Sequence, residues 1–278
     1  MSLGACSLIY DGEGLVGPGP DAGIGDGSTE GASDANLDPV DAKAPVVVGG
    51  QTGIAGIAID ATYLYWTTEG GNVTRRKREG ATADEEVASA EAKPGSIAVD
   101  ASHVYWTATK AVRRRALGGG PIETVATTVE DPVGLTIDSH PITIVFWTER
   151  EGGFLKSTGG DAGQVVIADK LDRPTTITRF TNKVFVILGE GQVHSQQGFT
   201  AGIGLAPNIA GRRVTALAGT SSLLYFSSES SRSIASYSAT TNEIEDVLPN
   251  VTSPSLASDG GFLYFVESDR TRIRRLTL

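Results

Sequence analysis

Pairs of large apolar residues punctuate the chain at near-equal intervals: Tyr65-Trp66, Tyr105-Trp106, Phe146-Trp147, Phe185-Val186, Tyr225-Phe226 and Tyr264-Phe265. Successive pairs stand 40, 41, 39, 40 and 39 residues apart, the fixed period of a repeat architecture. A short alternating strand precedes each pair, clearest at Gly56-Ile57-Ala58-Ile59-Asp60, Ser96-Ile97-Ala98-Val99-Asp100 and Gly134-Leu135-Thr136-Ile137-Asp138. Later copies are weaker, as at Thr176-Ile177-Thr178-Arg179 and Leu256-Ala257-Ser258-Asp259. Proline stands just upstream in four units (Pro94, Pro132, Pro174, Pro254), as suits a connection entering a strand.

After each pair comes a polar turn and a third strand, such as Asn72-Val73-Thr74-Arg75, Gly153-Phe154-Leu155-Lys156 or Arg272-Ile273-Arg274-Arg275. A fourth strand follows, clearest at Ile122-Glu123-Thr124-Val125 and Gln164-Val165-Val166-Ile167. Four short strands per repeat predict one blade of a β-propeller. The fold class is therefore all-β: six four-stranded antiparallel blades. The sixth unit stops after its third strand, while an orphan strand, Pro45-Val46-Val47-Val48-Gly49, stands before the first. The spacing predicts that this N-terminal strand completes the last blade. Such closure would tie the chain ends together and remove an exposed sheet edge.

The repeated Tyr-Trp-Thr (65–67 and 105–107) and the Ile-Arg-Arg-Leu strand (273–276) resemble six-bladed propellers of the YWTD-type and TolB-like group, over residues 45–278. That resemblance implies architecture and a ligand face formed by the turns after the second strands. It implies no particular activity. The aspartate of the YWTD motif is replaced by Thr68, Ala108 and Glu149, so any role of that aspartate is not carried over.

Residues 1–44 break the pattern. Residues 7–44 hold eight Gly, eight acids and one base, with no periodic apolar positions. Such a stretch buries too little apolar area to offset its ordering entropy and is expected to be disordered. It supplies −7 of the net charge of −10 and leaves −3 on residues 45–278, so the acidity belongs to the tether. Leu3-Gly4-Ala5-Cys6 resembles a bacterial lipobox, with Cys6 the lipidated residue. The charged and apolar regions of a signal peptide do not precede it. The expectation is a lipid-anchored protein of the bacterial cell envelope, or a secreted one, touching membrane only through Cys6.

Charge argues against nucleic acid as a partner, because phosphate binding needs a basic surface. No apolar run approaches the length of a bilayer span. One cysteine and three histidines (His103, His140, His194) leave no intramolecular disulfide and argue against a His-rich metal site. Gly-x-Ser-x-Gly is absent, so Ser-His-Asp catalysis has no support. Asn72-Val73-Thr74 and Asn250-Val251-Thr252 match a glycosylation sequon, which matters only in a eukaryotic secretory context.

Acids recur in the turns after the second strands: Glu69, Glu149, Glu190, Glu229 and Glu267 are the ligand-face candidates, with Glu151 and Asp269 beside them. A carboxylate ring could hold a cation such as Ca²⁺. The alternative is surface pairing with Arg150, Arg232 and Arg270, worth little in stability. A lactonase-type metal enzyme would need inward acids at the first-strand starts, which instead carry Gly56, Ser96, Gly134, Thr175, Thr215 and Ser255. Asp60, Asp100, Asp138 and Asp259 recur in register and predict turn caps. The basic runs Arg75–Arg78 and Arg113–Arg115 predict stems covering apolar surface between blades.

The sequence is read as a non-catalytic binding propeller. It engages a protein, peptide or glycan on one face as a monomer, with no cofactor and no nucleic acid. The alternative is a channel-mouth enzyme of the lactonase or lyase kind, with or without a metal. Differences between copies, at Gln196–Arg213 and Asp138–Thr143, mark where function is expected.

Overall fold

The computed structural model describes residues 43–278 apart from 81–82, 129, 140–141, 160–161, 182, 198–203, 206–208 and 210. Residues 1–42 of the tether, Cys6 among them, together with His140 and much of the 196–213 stretch thus lie outside the described residues. The strands are β1 (Val46–Val48), then blade one, β2 (Ile54–Ile59), β3 (Tyr63–Thr68), β4 (Val73–Lys77) and β5 (Glu85–Ala88). Blade two holds β6 (Ile97–Val99), β7 (His103–Ala108), β8 (Ala111–Ala116) and β9 (Glu123–Thr127). Blade three holds β10 (Pro132–Asp138), β11 (Ile144–Glu149), β12 (Phe154–Gly159) and β13 (Ala162–Ala168). Blade four holds β14 (Ile177–Phe180), β15 (Lys183–Leu188), β16 (Gln192–Gln197) and β17 (Gly204–Leu205). Blade five holds β18 (Val214–Gly219), β19 (Leu223–Ser228), β20 (Ser233–Ser238) and β21 (Ile244–Pro249). Blade six holds β22 (Leu256–Ser258), β23 (Phe262–Val266) and β24 (Ile273–Thr277).

All six sheets are four-stranded and antiparallel, and the sixth runs β1-β24-β23-β22. β1 is thus the outer strand of the last blade, with Val46 opposite Arg274 and Val48 opposite Ile273. Two further bonds fasten this seam: Arg275 N donates to the Pro45 carbonyl at 3.1 Å, and Arg274 Nη1 to the Ala44 carbonyl at 2.9 Å. The innermost strands β2, β6, β10, β14, β18 and β22 neighbour one another in turn, and β22 returns to β2. The all-β, six-bladed ring closed by the N-terminal strand is therefore the observed architecture.

The repeated pair explains how blades adhere. Adjacent strand residues point to opposite faces, so each pair serves two interfaces. Tyr65 packs with Val104 and Trp106 of blade two, while Trp66 packs with Tyr264 and Ile273 of blade six. Tyr105 likewise meets Trp147 of blade three. Phe226 meets Phe185 of blade four, and Tyr225 meets Leu263 of blade six. Burying each such ring contributes about 1.5–3 kcal/mol. The following hydroxyl adds a polar tie: Thr67 Oγ1 donates to the Gly95 carbonyl at 2.5 Å, and Thr148 Oγ1 to the Thr175 carbonyl at 2.7 Å.

Three of the four recurring aspartates, Asp60, Asp100 and Asp259, are turn caps, whereas Asp138 pairs with Arg179 of blade four. Asp60 Oδ1 accepts from the backbone N–H of Thr62 (2.7 Å) and Tyr63 (2.6 Å), and Asp100 Oδ1 from Ser102 and His103 (both 2.7 Å). Thr220 Oγ1 takes the same role in blade five, accepting from Leu223 N at 3.0 Å. The second oxygen of Asp60 and of Asp100 has a use the sequence did not suggest: it accepts the hydroxyl of Tyr65 (2.6 Å) or Tyr105 (3.0 Å).

The arginine runs do more than cover apolar surface. Arg75 Nη1 donates to the Leu117 carbonyl of blade two (3.1 Å), and Arg76 Nη1 to the Val47 carbonyl of blade six (2.8 Å). Arg115 reaches back to the Val87 carbonyl of blade one. These heads are spent bridging neighbouring blades.

Candidate functional site

The channel walls come from the inner strands, and their smallness has a packing cause. A Cβ on Gly134 would lie 2.2 Å from the Thr175 carbonyl oxygen of the next blade. A Cβ on Gly56 would lie 2.7 Å from the Gly95 oxygen. Where a hydroxyl replaces glycine it bridges blades instead: Ser96 Oγ accepts from Leu135 N (3.1 Å) and Ser255 Oγ from Ile57 N (3.2 Å). The result is a cavity of about 360 Å³ bounded by Ile57, Ala98, Leu135, Thr178, Leu217 and Ala257 among others.

This channel opens into a wider mouth of about 560 Å³ on the face of the turns after the second strands. Ala55, Val133, Arg150, Thr176 and Pro254 border both spaces and form the neck between them. Bulges supply part of this lining. The register shifts between Ile54 and Gly56, Pro132 and Gly134, and Val214 and Ala216 set Ala55, Val133 and Thr215 out of the ladder in alternate blades. Bulges re-aim side chains at barrel and propeller rims in this way.

Polar groups at the mouth include Arg150, Arg213, Arg270, Glu190, Glu229 and Ser268. Two of the arginines are neutralised: Arg213 pairs with Glu229 (3.5 Å), and Arg270 with Glu69 across the ring seam (2.6 Å). Arg150 and Glu190 have no ion pair among the described residues. Surface pairs of this exposure are weak and break readily in favour of a better partner.

The five acids singled out in the sequence do not form one ring. Glu190 and Glu229 line the mouth, and Glu69 touches it only through Arg270. Glu149 has no solvent exposure and accepts from Trp147 Nε1 and Lys156 Nζ, both at 2.9 Å. Glu267 is held by Arg274 and, at 3.6 Å, by Arg272. Asp269 caps its own turn through Thr271, whose N–H and hydroxyl hold its carboxyl below the usual carboxylate range. Among the described residues no three His, Cys, Asp or Glu side chains converge as a metal would require. His103 sits at the opposite end of the blades, next to Asp100, and burial lowers the His194 pKa on β16.

The cations were the less visible half of the site. Aligning the repeats on the aromatic pairs puts Glu69, Thr109, Arg150, Gly189, Glu229 and Ser268 at one register. Arg150 is the one cation there, a reversal of sign that sequence alignment of the copies could have exposed. Arg213 lies in the irregular fourth connection and carries no repeat signal.

No family model matches the chain, and no curated protein matches it. Solved structures do. A gluconolactonase of Xanthomonas campestris superposes with a TM-score of 0.67 at 14% identity, over 87% of this chain and 93% of that one. The virginiamycin B lyase of Staphylococcus aureus gives 0.61 at 13% identity, over 85% and 99%. The nidogen/laminin complex gives 0.60 at 16% identity, over 79% and 82%. At such identities the likeness shows the fold alone, and that fold is the six-bladed β-propeller.

Proposed function

We propose that this propeller is a non-catalytic binding protein that takes a peptide, or an exposed segment of a protein, at the channel mouth. The observation that carries this reading is the mouth itself: an open, mixed-charge hollow of about 560 Å³ with unmatched Glu190 in its lining and unmatched Arg150 at the neck below. Ligand sites are typically concave hollows of this order of size with a small number of placed polar groups that fix orientation. The charged rim favours a charged peptide over a neutral glycan. The fold serves binding in the nidogen/laminin complex and catalysis in the lactonase and lyase, so fold does not choose between them. The fate of the turn acids favours binding: Glu149 and Glu267 are occupied by internal cations.

The test is affinity selection from a mixture of synthetic octapeptides, read by mass spectrometry. Wild type is expected to retain a subset intact. Ser268→Trp, which fills the mouth, is expected to lose it, and Ala61→Trp on the opposite face to keep it. Retention by Ser268→Trp, or no retention by wild type, overturns the reading. Recovery of chemically altered peptides would favour an enzyme.

Anchorage of the monomer to a bacterial cell envelope is supported by Leu3-Gly4-Ala5-Cys6 and by the Gly- and acid-rich segment after it. Expressed behind a lipoprotein signal sequence, the chain should fractionate with membranes, and Cys6→Ser should release it. Pelleting of Cys6→Ser with membranes overturns the anchor.

A further inference from the structure

We infer that the neck is a carboxylate site, and that the group it takes is the free C-terminal carboxylate of an extended peptide. The inference rests on the peptide-binding reading and names what that peptide must carry. Its first support is the charge inventory. Arg213 and Arg270 are already opposed by Glu229 and Glu69. Of the three arginines lining the mouth, Arg150 alone has no carboxylate partner among the described residues. One unmatched cation suits a monoanion. A phosphate or polyanion would meet Glu190 and Glu229 in the same hollow.

The second support is position. At this register, blades one and five place Glu69 and Glu229, each neutralised by an arginine, whereas blade three places Arg150 with no counter-ion. Arg150 borders both the mouth and the channel. Thr176 does the same from blade four, and its hydroxyl makes no hydrogen bond among the described residues. A guanidinium presents a planar fork of donors that fits a carboxylate bidentately, and a hydroxyl can add a third bond.

The third support is what lies on either side. Below the neck the channel wall combines Ile57, Leu135 and Leu217 with uncharged hydroxyls such as Thr136 and Thr178, and holds no further cation. A charged group therefore stops at the neck. A chain end reaches the bottom of the mouth without the chain having to enter and leave. Glu190, unpaired at the rim, then faces the residues just before the terminus and favours a Lys or Arg among them.

The experiment uses acetylated tetrapeptides in three matched forms: free acid, C-terminal amide, and amide with an internal Glu. Retention on the full chain is read by mass spectrometry at about 50 mM and about 500 mM salt. The free acids should be retained at least about tenfold better than either amide. Arg150→Gln should abolish the preference, Arg150→Lys should keep part of it, and high salt should weaken it, because exposed charge pairs are screened. Arg150 is exposed, and circular dichroism of each variant checks that the fold is kept. Equal retention of acids and amides, or of the internal-Glu amides, overturns the carboxylate-terminus inference even where octapeptides bind. An unchanged preference in Arg150→Gln overturns the assignment to Arg150. No retention of tetrapeptides or octapeptides overturns both readings.

Discussion

Glu149 and Lys156 form an ion pair inside blade three, 2.9 Å apart, with the carboxylate wholly shielded from solvent. The arrangement recurs. Arg113, Lys156 and Arg274 stand at one register of the third strands, and each is met by a shielded acid: Glu91, Glu149 and Glu267. In blades two and three the same acid also accepts the tryptophan N–H, Trp106 to Glu91 at 3.0 Å and Trp147 to Glu149 at 2.9 Å. Removing one partner of a buried pair strands the other charge, which costs about 3–5 kcal/mol, whereas neutralising both costs far less. Glu149→Ala is therefore expected to lower the thermal midpoint sharply. Glu149→Gln combined with Lys156→Met should recover most of the loss, since Gln still accepts the indole. Equal damage in the single and double variants, measured by calorimetry, would contradict the pairing.

The ring seam gives a second expectation. Val48 is buried and packs with Trp66, Tyr264 and Ile273. Val48→Asp puts an unpaired carboxylate there, and such burial is costly. The variant should expose the segment before Ile54 to limited proteolysis well before blades two to five are cut. Simultaneous loss of all blades would mean that closure and blade stability are one cooperative event.

Gly134→Ala tests the tight inner ring. Its Cβ would press on the Thr175 backbone at 2.2 Å, so one inner strand must shift; overpacking of this kind costs about 1–3 kcal/mol. Gly118→Ala, whose Cβ meets open space, should fall within about 0.5 kcal/mol of wild type. Chemical denaturation of both variants checks the contrast.

Acid and alkali should act on the same turns from opposite sides. Burial alone would raise the Asp100 carboxyl, but bonds from Ser102, His103 and Thr143 outweigh it and hold the group below the usual range. Asp259 is treated alike by Phe262, Arg78 and Gly261. A folded pKa below the unfolded one means stability that is present above about pH 4 and lost as pH falls further. The Tyr105 hydroxyl is pushed up to about 12 by burial and by Asp100. Its share is present below about pH 10 and lost as pH rises beyond. Asp100→Asn should flatten the acid limb of a melting-temperature profile; an unchanged slope would show that the cap does not carry the dependence.

The repeat made the architecture legible. Six pairs of large apolar residues at near-constant spacing located the second strand of every blade, and the unpaired Val46–Val48 announced the closing strand because a propeller blade needs a fourth. The aspartate caps were legible for the same reason, since a local backbone demand recurs with the backbone. The site was only half legible. Turn acids stood out as a group, but burial depends on neighbours in three dimensions, and nothing local separates the enclosed Glu149 from the exposed Glu190. Arg150, Arg213 and Thr176 converge from separate blades and connections, so no motif holds them together. The bulges that turn Ala55 and Val133 toward the mouth arise from strand pairing and leave no composition signal.

Hydrogen exchange of the full chain, with and without the octapeptides it retains, tests the binding-face reading most directly. Protection is expected in the turns around Arg150, Glu190, Glu229 and Ser268. None is expected at the opposite turns around Asp60, Asp100 and Thr220. Protection at the opposite turns, or on the outer strands β9, β13 and β21, would contradict it.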